Sequence, residues 1–445
     1  MSKLTDDSIR SLTGIFFLAL WISLFQTEVV FSSVLNIQIS VSAQDIATIQ
    51  WSEDGRSFAL IDRKKRLLVV PNTGKKKTWS RTLGTGRVGK GEAISSEHLI
   101  WSSGNQSLIA VYRDPHKSIL RIVTLRGSDG QVQGIFEIVL PPNPSSQPIV
   151  PSSVGAILSP SGKFLAVSYN TGKVGDETIL WIVDNEQSKV VKTFPFTPKI
   201  LHWAWAGDQL MVLLTNEEKT SKWIEGWSVS SGRVALTIDS RKGAIDRMET
   251  NREGVVFVLQ RRGKWNWKAG KEQTDEVLTL SVFQDSTNGW NLNWTQEFKP
   301  NPRDVAGSEF ITPSSGQWAA VLVPLGTDGT SGRLFWLVSK DKVLPPGMIV
   351  KQHENLASAD PLFWDNNRLV FVETLVSQIT NTGQVLSPQL RFFRYDANTK
   401  KLTFLKSAAM DSIDNGWPSP KWERIALLRK SGSETVLIFK GFLAL

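Results

Sequence analysis

The chain of 445 residues contains no cysteine. Disulfides, thiol nucleophiles, iron–sulfur ligation, thiolate zinc sites and a lipid-modified N-terminal Cys are therefore excluded together. An exported protein in an oxidising compartment loses nothing by that absence. Histidine is almost as scarce. His98, His116, His202 and His353 stand far apart, and no pair has the spacing of a metal-binding helix or loop. No Gly-x-Ser-x-Gly elbow occurs. No catalytic, cofactor-binding or metal-binding residue is assigned on these grounds. Tyrosine is also rare, at 3 against 18 Trp and 21 Phe, so the aromatic supply consists of large apolar fillers with at most one donor to satisfy.

A long apolar run is missing too. Gly14 to Phe25 reads GIFFLALWISLF, without a charge, and Gln26, Thr27 and Glu28 interrupt it before Val29-Val30-Phe31. A membrane span needs roughly 20 predominantly apolar residues, so this run has the length of a signal-peptide core. Extended through Phe31 it becomes a marginal anchor that must bury Glu28. Lys3, Arg10 and the free amine precede it, offset by Asp6 and Asp7, and between Gln26 and Trp51 the only charges are Glu28 and Asp45. That bias predicts the N-terminus inside and the body outside. Residues 1–33 are read as a signal or anchor segment with an apolar helix, and 34–445 as the folded domain. Val41-Ser42-Ala43 resembles a cleavage site, but residues 35–41 are needed as a strand, so cleavage nearer Ser32, or none, is expected.

Apolar residues make up 41% and charged residues 21%, enough to bury a large core. The dominant pattern is a repeated phrase: an apolar or Trp anchor, small polar turn residues, usually a Gly, and then a β-rich run. Its anchors are Trp51, Trp101, Leu158, Trp205, Thr250, Ile311, Trp364 and Trp417. After each phrase come further strand-like runs, such as Ile179–Val183 and Val190–Phe194, separated by Gly, Asn, Asp or Lys clusters. These runs and the strand entering the phrase predict four-stranded antiparallel blades of an all-β propeller, about eight in number. The eighth repeat runs out of chain after Phe439. Leu35-Asn-Ile-Gln-Ile-Ser-Val41 alternates apolar and polar, and is expected to supply the outer strand of blade eight and close the ring. The alternative gives residues 34–43 to the export signal and leaves seven blades.

At Trp51-Ser-Glu-Asp-Gly-Arg-Ser-Phe-Ala-Leu the chain resembles the TolB-like propeller repeats, whose pattern runs Trp-Ser-Pro-Asp-Gly before an apolar strand. Leu158-Ser-Pro-Ser-Gly-Lys-Phe-Leu-Ala-Val is the second match. WD-repeat proteins share the geometry, although their terminal Trp-Asp signature is not repeated here. The resemblance extends over the chain after residue 34 as a structural repeat. It implies a propeller and a protein-binding platform, and carries over no catalytic residue.

Charge is placed unevenly. Residues 56–90 hold eleven Lys and Arg against Asp62 alone, a balance of +10, while the other 410 residues hold 40 basic and 41 acidic groups. Within that window Arg63, Lys64, Lys65 and Arg66 fall at one hairpin turn, and Lys75, Lys76 and Lys77 at the next. They are candidates for an anionic partner, either an acidic protein or an envelope surface, with nucleic acid disfavoured for an exported body. A second candidate is the long connection in blade five that contains Arg261, Arg262, Lys264, Trp265, Trp267 and Lys268, where aromatic faces and cations combine. Trp290, Leu292 and Trp294 are expected on one side of a strand, in the inter-blade core. The expected function is thus a non-enzymatic, periplasmic or extracellular binding or scaffold propeller, with membrane association through residues 14–31 and no cofactor. Its competitor is a secreted propeller enzyme, a polysaccharide lyase or hydrolase, with a site in the central channel. Two or more histidines gathered with carboxylates at one channel mouth would favour that competitor, and a channel plugged by apolar side chains with the basic turns on one face would favour binding.

Overall fold

The computed structural model describes residues 35–39, 46–62, 66–71, 78–83, 98–114, 118–141, 153–170, 178–194, 199–216, 218, 221–263, 265–268, 271–274, 277–286, 289–299, 309–313, 315–324, 333–351, 356–376, 378–379, 385–386, 388–409, 416–431, 434–441 and 443. The apolar segment 14–31, Arg63, Lys64, Lys65, Lys75, Lys76, Lys77, Lys264, His116 and His353 lie outside the described residues. Among the described residues no helix is long and apolar enough to cross a membrane.

The described strands form eight four-stranded antiparallel sheets, one for each phrase. Every anchor ends, or nearly ends, the first strand of its blade: Ile46–Trp51, His98–Trp101, Ser153–Leu158, Lys199–Ala206, Ala244–Thr250, Glu309–Ile311, Leu356–Asp365 and Gly416–Pro418. Seven blades take four consecutive strands, apart from two small inserted ribbons. Blade eight has three from the C-terminal end, the last being Glu434–Gly441, and its fourth is Leu35–Ile39. That strand pairs antiparallel, with Leu35 opposite Phe439 and Ile39 opposite Thr435.

The phrase has a physical basis. The Ser after an anchor is buried at Ser52, Ser159 and Ser419. Each of these hydroxyls accepts the N–H of the residue that restarts the chain as a strand: Ser57 at 2.7 Å, Phe164 at 3.1 Å and Arg424 at 3.1 Å. The tight turn then needs a left-handed residue, which Gly55 supplies in blade one (φ 64°) and Gly254 in blade five (φ 79°). Blade seven uses Asn366 (φ 55°). Blade eight places Trp422 there (φ 55°), a conformation costly for a bulky residue, and its ring packs 5.4 Å from Phe392 of blade seven.

Second strands such as Phe164–Asn170 and Gln209–Thr215 read as almost unbroken apolar runs because both their faces are covered. Fourth strands, such as Lys189–Phe194, are largely exposed. The core lies in the seams between blades. Ile61 and Leu67 of blade one meet Leu99 and Leu108 of blade two. Comparable clusters join two to three, three to four, four to five, five to six, six to seven and seven to eight. The remaining cluster brings Trp417 and Ala426 of blade eight against Trp51, Phe58 and Leu60 of blade one. The succession thus returns to its start.

One expectation is corrected. Trp290, Leu292 and Trp294 do not share a side. The register shifts between the pairs Val282–Trp294 and Phe283–Leu292, leaving Asn293 unpaired in a bulge. Trp290 therefore packs toward blade four and donates to Gln209 Oε1 (2.8 Å). Trp294 is buried against blade six and donates to the Gly316 carbonyl (3.0 Å). Leu292 is 43% exposed, so it is not core.

In blade four, Trp223 and Trp227 each donate to a different oxygen of Glu225, both at 3.0 Å. A Gln at 225 keeps the shape but turns an NH2 toward one indole N–H, so one donor is left unpaired. Glu225→Gln is expected to cost about 1–3 kcal/mol in urea unfolding. An unchanged midpoint would mean that the two indoles are hydrated without it.

Candidate functional site at the axial cavity

The first strand of each blade has one edge without a neighbouring strand, and its backbone groups need other partners. The anchors supply several of them. Trp51 Nε1 donates to the Trp417 carbonyl (2.9 Å), Trp101 Nε1 to Gln50 (3.4 Å), Trp205 Nε1 to Ile157 (2.9 Å) and Trp364 Nε1 to Ile311 (3.2 Å). Thr250, an anchor without an indole, donates through Oγ1 to the Trp205 carbonyl (2.6 Å). Each of these bonds ties one blade's first strand to that of the blade before it.

Inside these strands lies a cavity of about 730 Å³. Gln50, His98, Ile100, Ala156, Leu158, Ala204 and Thr250 line its wall, and Glu53, Asn251, Arg252, Thr312 and Pro420 come from the phrase turns. Two ionised side chains stand among these lining residues, Glu53 and Arg252, and they pair with each other through Oε1 and Nη1. Glu53 belongs to blade one and Arg252 to blade five, half-way round a ring of eight, so the pair crosses the axis at the turn end. Glu53 is further fixed by its backbone N–H, which donates to Asn105 Oδ1 of blade two (3.3 Å). Asn251 Oδ1 accepts from the Glu253 and Val255 N–H groups (3.0 Å each), which holds the turn that presents Arg252. Burial lowers the Arg252 pKa from its ordinary value.

The two described histidines stand on first strands of different blades. His98, in blade two, reaches the cavity; His202 is in blade four. Among the described residues no group of three or more His, Asp and Glu is placed to hold a metal ion. One histidine and one already paired carboxylate line the cavity.

The structure separates the sequence-derived candidates. Arg66 is engaged with its own blade: its backbone N–H donates to Asp62 Oδ1 (2.8 Å) and its Nε to Oδ2 (3.0 Å), on a carboxylate that is itself buried. Asp62 is the single acid of the basic window. Arg261 meets Asp246 at 2.6 Å, and Arg262 meets Glu297 at 2.9 Å. The connection in blade five is a two-stranded ribbon, Trp265–Lys268 against Lys271–Thr274, with Trp265 and Trp267 opposite Thr274 and Glu272. Blade seven carries a smaller one, Gln378–Ile379 against Val385–Leu386.

Burial pushes both histidines below the ordinary value of 6.5. For His98 a hydrogen bond to the Val154 backbone opposes the shift, and for His202 the Arg247 charge adds to it. Below pH 6.5 the unfolded chain therefore binds more protons than the native one, and stability rises with pH until that value is passed. The melting temperature is expected to fall as pH drops from 7 toward 5. A His98→Gln, His202→Gln double variant should flatten the slope, and an unaltered slope would assign the acid sensitivity to other groups.

No family model matches the chain, and no curated protein is similar to it in sequence. Solved structures are similar to it in fold. The Dos1 propeller is 12% identical, over 92% of this chain and 95% of that one, with a TM-score of 0.50. The WD40 domain of SCAP from fission yeast is 12% identical, over 92% and 98%, with a TM-score of 0.48. Dihydro-heme d1 dehydrogenase NirN is 13% identical, over 83% and 67%, with a TM-score of 0.46. Likeness at this level speaks of fold and not of reaction. The chain has a β-propeller fold similar to that of the Dos1 propeller.

Proposed function

We propose that the protein is a non-enzymatic, extracytoplasmic scaffold propeller, held at an anionic envelope membrane by one face and offering the other to a partner protein. The observation that carries this reading is the direction of Leu35–Ile39. Phrase turns join first to second strands and gather at one end of the ring, around Glu53 and Arg252. Leu35 lies opposite Phe439, near the end of the last strand, and Gly441 pairs with Arg424 beside the blade-eight phrase turn. The chain before Leu35 therefore joins the rim at the turn face, and residues 14–31, read as an anchor, hold that face toward the lipid.

The same alternation of strands sorts the basic residues. Lys75, Lys76 and Lys77 join the third strand of blade one to its fourth, whose near ends lie at the turn face. In sequence Arg63, Lys64 and Lys65 stand between the second strand and the third, whose near ends lie at the opposite face. The ribbons of blades five and seven also join second to third strands and share that opposite face. The lysines would contribute about 1 kcal/mol each beside an anionic membrane. On the far side, the blade-five ribbon with Trp265 and Trp267, together with Arg63, Lys64 and Lys65, forms the docking surface for a partner with an acidic patch.

The absence of cysteine gives a clean test. Lys76→Cys and Gly270→Cys are each introduced singly and treated with a membrane-impermeant maleimide on intact cells. Gly270→Cys should label rapidly, and Lys76→Cys should be slowed until detergent is added. Equal rates would reject the proposed orientation, and labelling only after lysis would reject export. Replacing Arg63, Lys64 and Lys65 with Glu should abolish partner capture and leave membrane retention intact; loss of retention would exchange the roles of the two turns.

A further inference from the structure

We propose that the turn end of the axial cavity is a binding site for a carboxylate attached to an apolar group, in which Arg252 is the recognition residue and Glu53 occupies its place in the free protein. This site is independent of the docking surface described above. Three observations support it.

First, the cavity has one cation and one anion on its wall, and they satisfy each other across the axis from blades one and five. A pair that merely braced the ring would be expected between adjacent blades, where short spans suffice. Here two long side chains meet over an opening. Second, the guanidinium is incompletely engaged. Nη1 takes Glu53, and Nε and Nη2 have no partner among the described residues. Both side chains keep solvent access, at 64% for Arg252 and 46% for Glu53, so the contact is exchangeable rather than buried. Such exposed pairs contribute little to stability, and little is lost when one is traded for another. A planar guanidinium matches a carboxylate with two parallel donors, and Glu53 already demonstrates the ligand type that fits.

Third, the cavity wall offers apolar area beside polar groups. Ile100, Leu158, Ala204 and Pro420 line it, together with Gln50, His98, Thr250 and Thr312. Its volume of about 730 Å³ falls within the range of small-molecule sites. The carboxylate could belong to a small organic acid or to the C-terminus of a polypeptide; the chemistry at Arg252 is the same.

The test is calorimetric titration of the full-length protein with four probes. They are N-acetyl-leucine, its amide, a hexapeptide ending in a free Leu carboxylate, and the same peptide amidated. The acids should bind and the amides should not. Arg252→Gln should weaken binding by about tenfold or more, the loss expected for a charge-assisted bond. Glu53→Gln should tighten it several-fold by removing the internal competitor. Binding of the peptide but not the small acid identifies a chain terminus as the ligand, and the reverse identifies a metabolite-sized acid. Equal binding of acids and amides would overturn the proposal. So would weakening by Glu53→Gln, or no binding to either wild type or Glu53→Gln. Unchanged melting temperatures for both variants confirm that folding is not the cause.

Discussion

The structure depends on an indole N–H reaching the backbone of the blade before it. A four-stranded blade pairs its strands with one another, but its first strand is left with an unpaired edge toward the axis. Closing a sheet on itself removes such edges; assembling separate sheets around an axis does not. Trp51, Trp101, Trp205 and Trp364 resolve this by burying a large ring in a seam and delivering one donor to a carbonyl of the preceding first strand. The same side chain thus supplies apolar area and backbone satisfaction. Phe could do the first and not the second, which accounts for Trp as the recurrent anchor. The seam between blades eight and one uses the same bond, from Trp51 to Trp417, so the place where the chain's two ends meet is built like the others.

The anchors explain why the fold was legible. A phrase of Trp, Ser and a left-handed residue carries its own geometry, because the Ser hydroxyl and the positive-φ position together define one tight turn. Where the phrase degenerates, chemistry of another type stands in. Thr250 keeps a donor without an indole. Trp422 replaces the small left-handed residue and is compensated by its packing on Phe392. The alternating segment at 35–41 was legible for a related reason: an eighth blade three strands long leaves an edge, and the strand that covers it has to be apolar on one side only.

What the residue pattern hid were features that depend on register and on distance through space. Alternation placed Trp290 and Trp294 on one side, and the bulge at Asn293 reversed them. Basic residues counted as free in sequence proved to be split, with Arg66, Arg261 and Arg262 held by Asp62, Asp246 and Glu297. The Glu53–Arg252 pair was missed although a signal existed. Both directly follow the residue that opens the phrase turn, Ser52 and Asn251. Ser103, Pro160 and Pro420 stand there in blades two, three and eight, all uncharged. Two opposite charges in equivalent positions four repeats apart must face each other once the repeats close into a ring of eight. Comparing the repeats in phase, rather than scanning the chain for motifs, would have found them.

Phase also governs how the two faces differ. In an antiparallel four-stranded blade the connections alternate between the ends of the ring, so sequence neighbours are separated and distant segments are brought together. Asp62 stands beside Arg66 at one end of the strand Arg66–Pro71, and Trp79 pairs with Val69 toward the other. The blade-one turn and the blade-five ribbon, some 200 residues apart, share an end. The strand Leu35–Ile39 begins at the turn face, and the ribbon leaves blade five at the opposite one. The proposed scaffold, with one face to a membrane and one to a partner, would use this separation of the two ends of each strand.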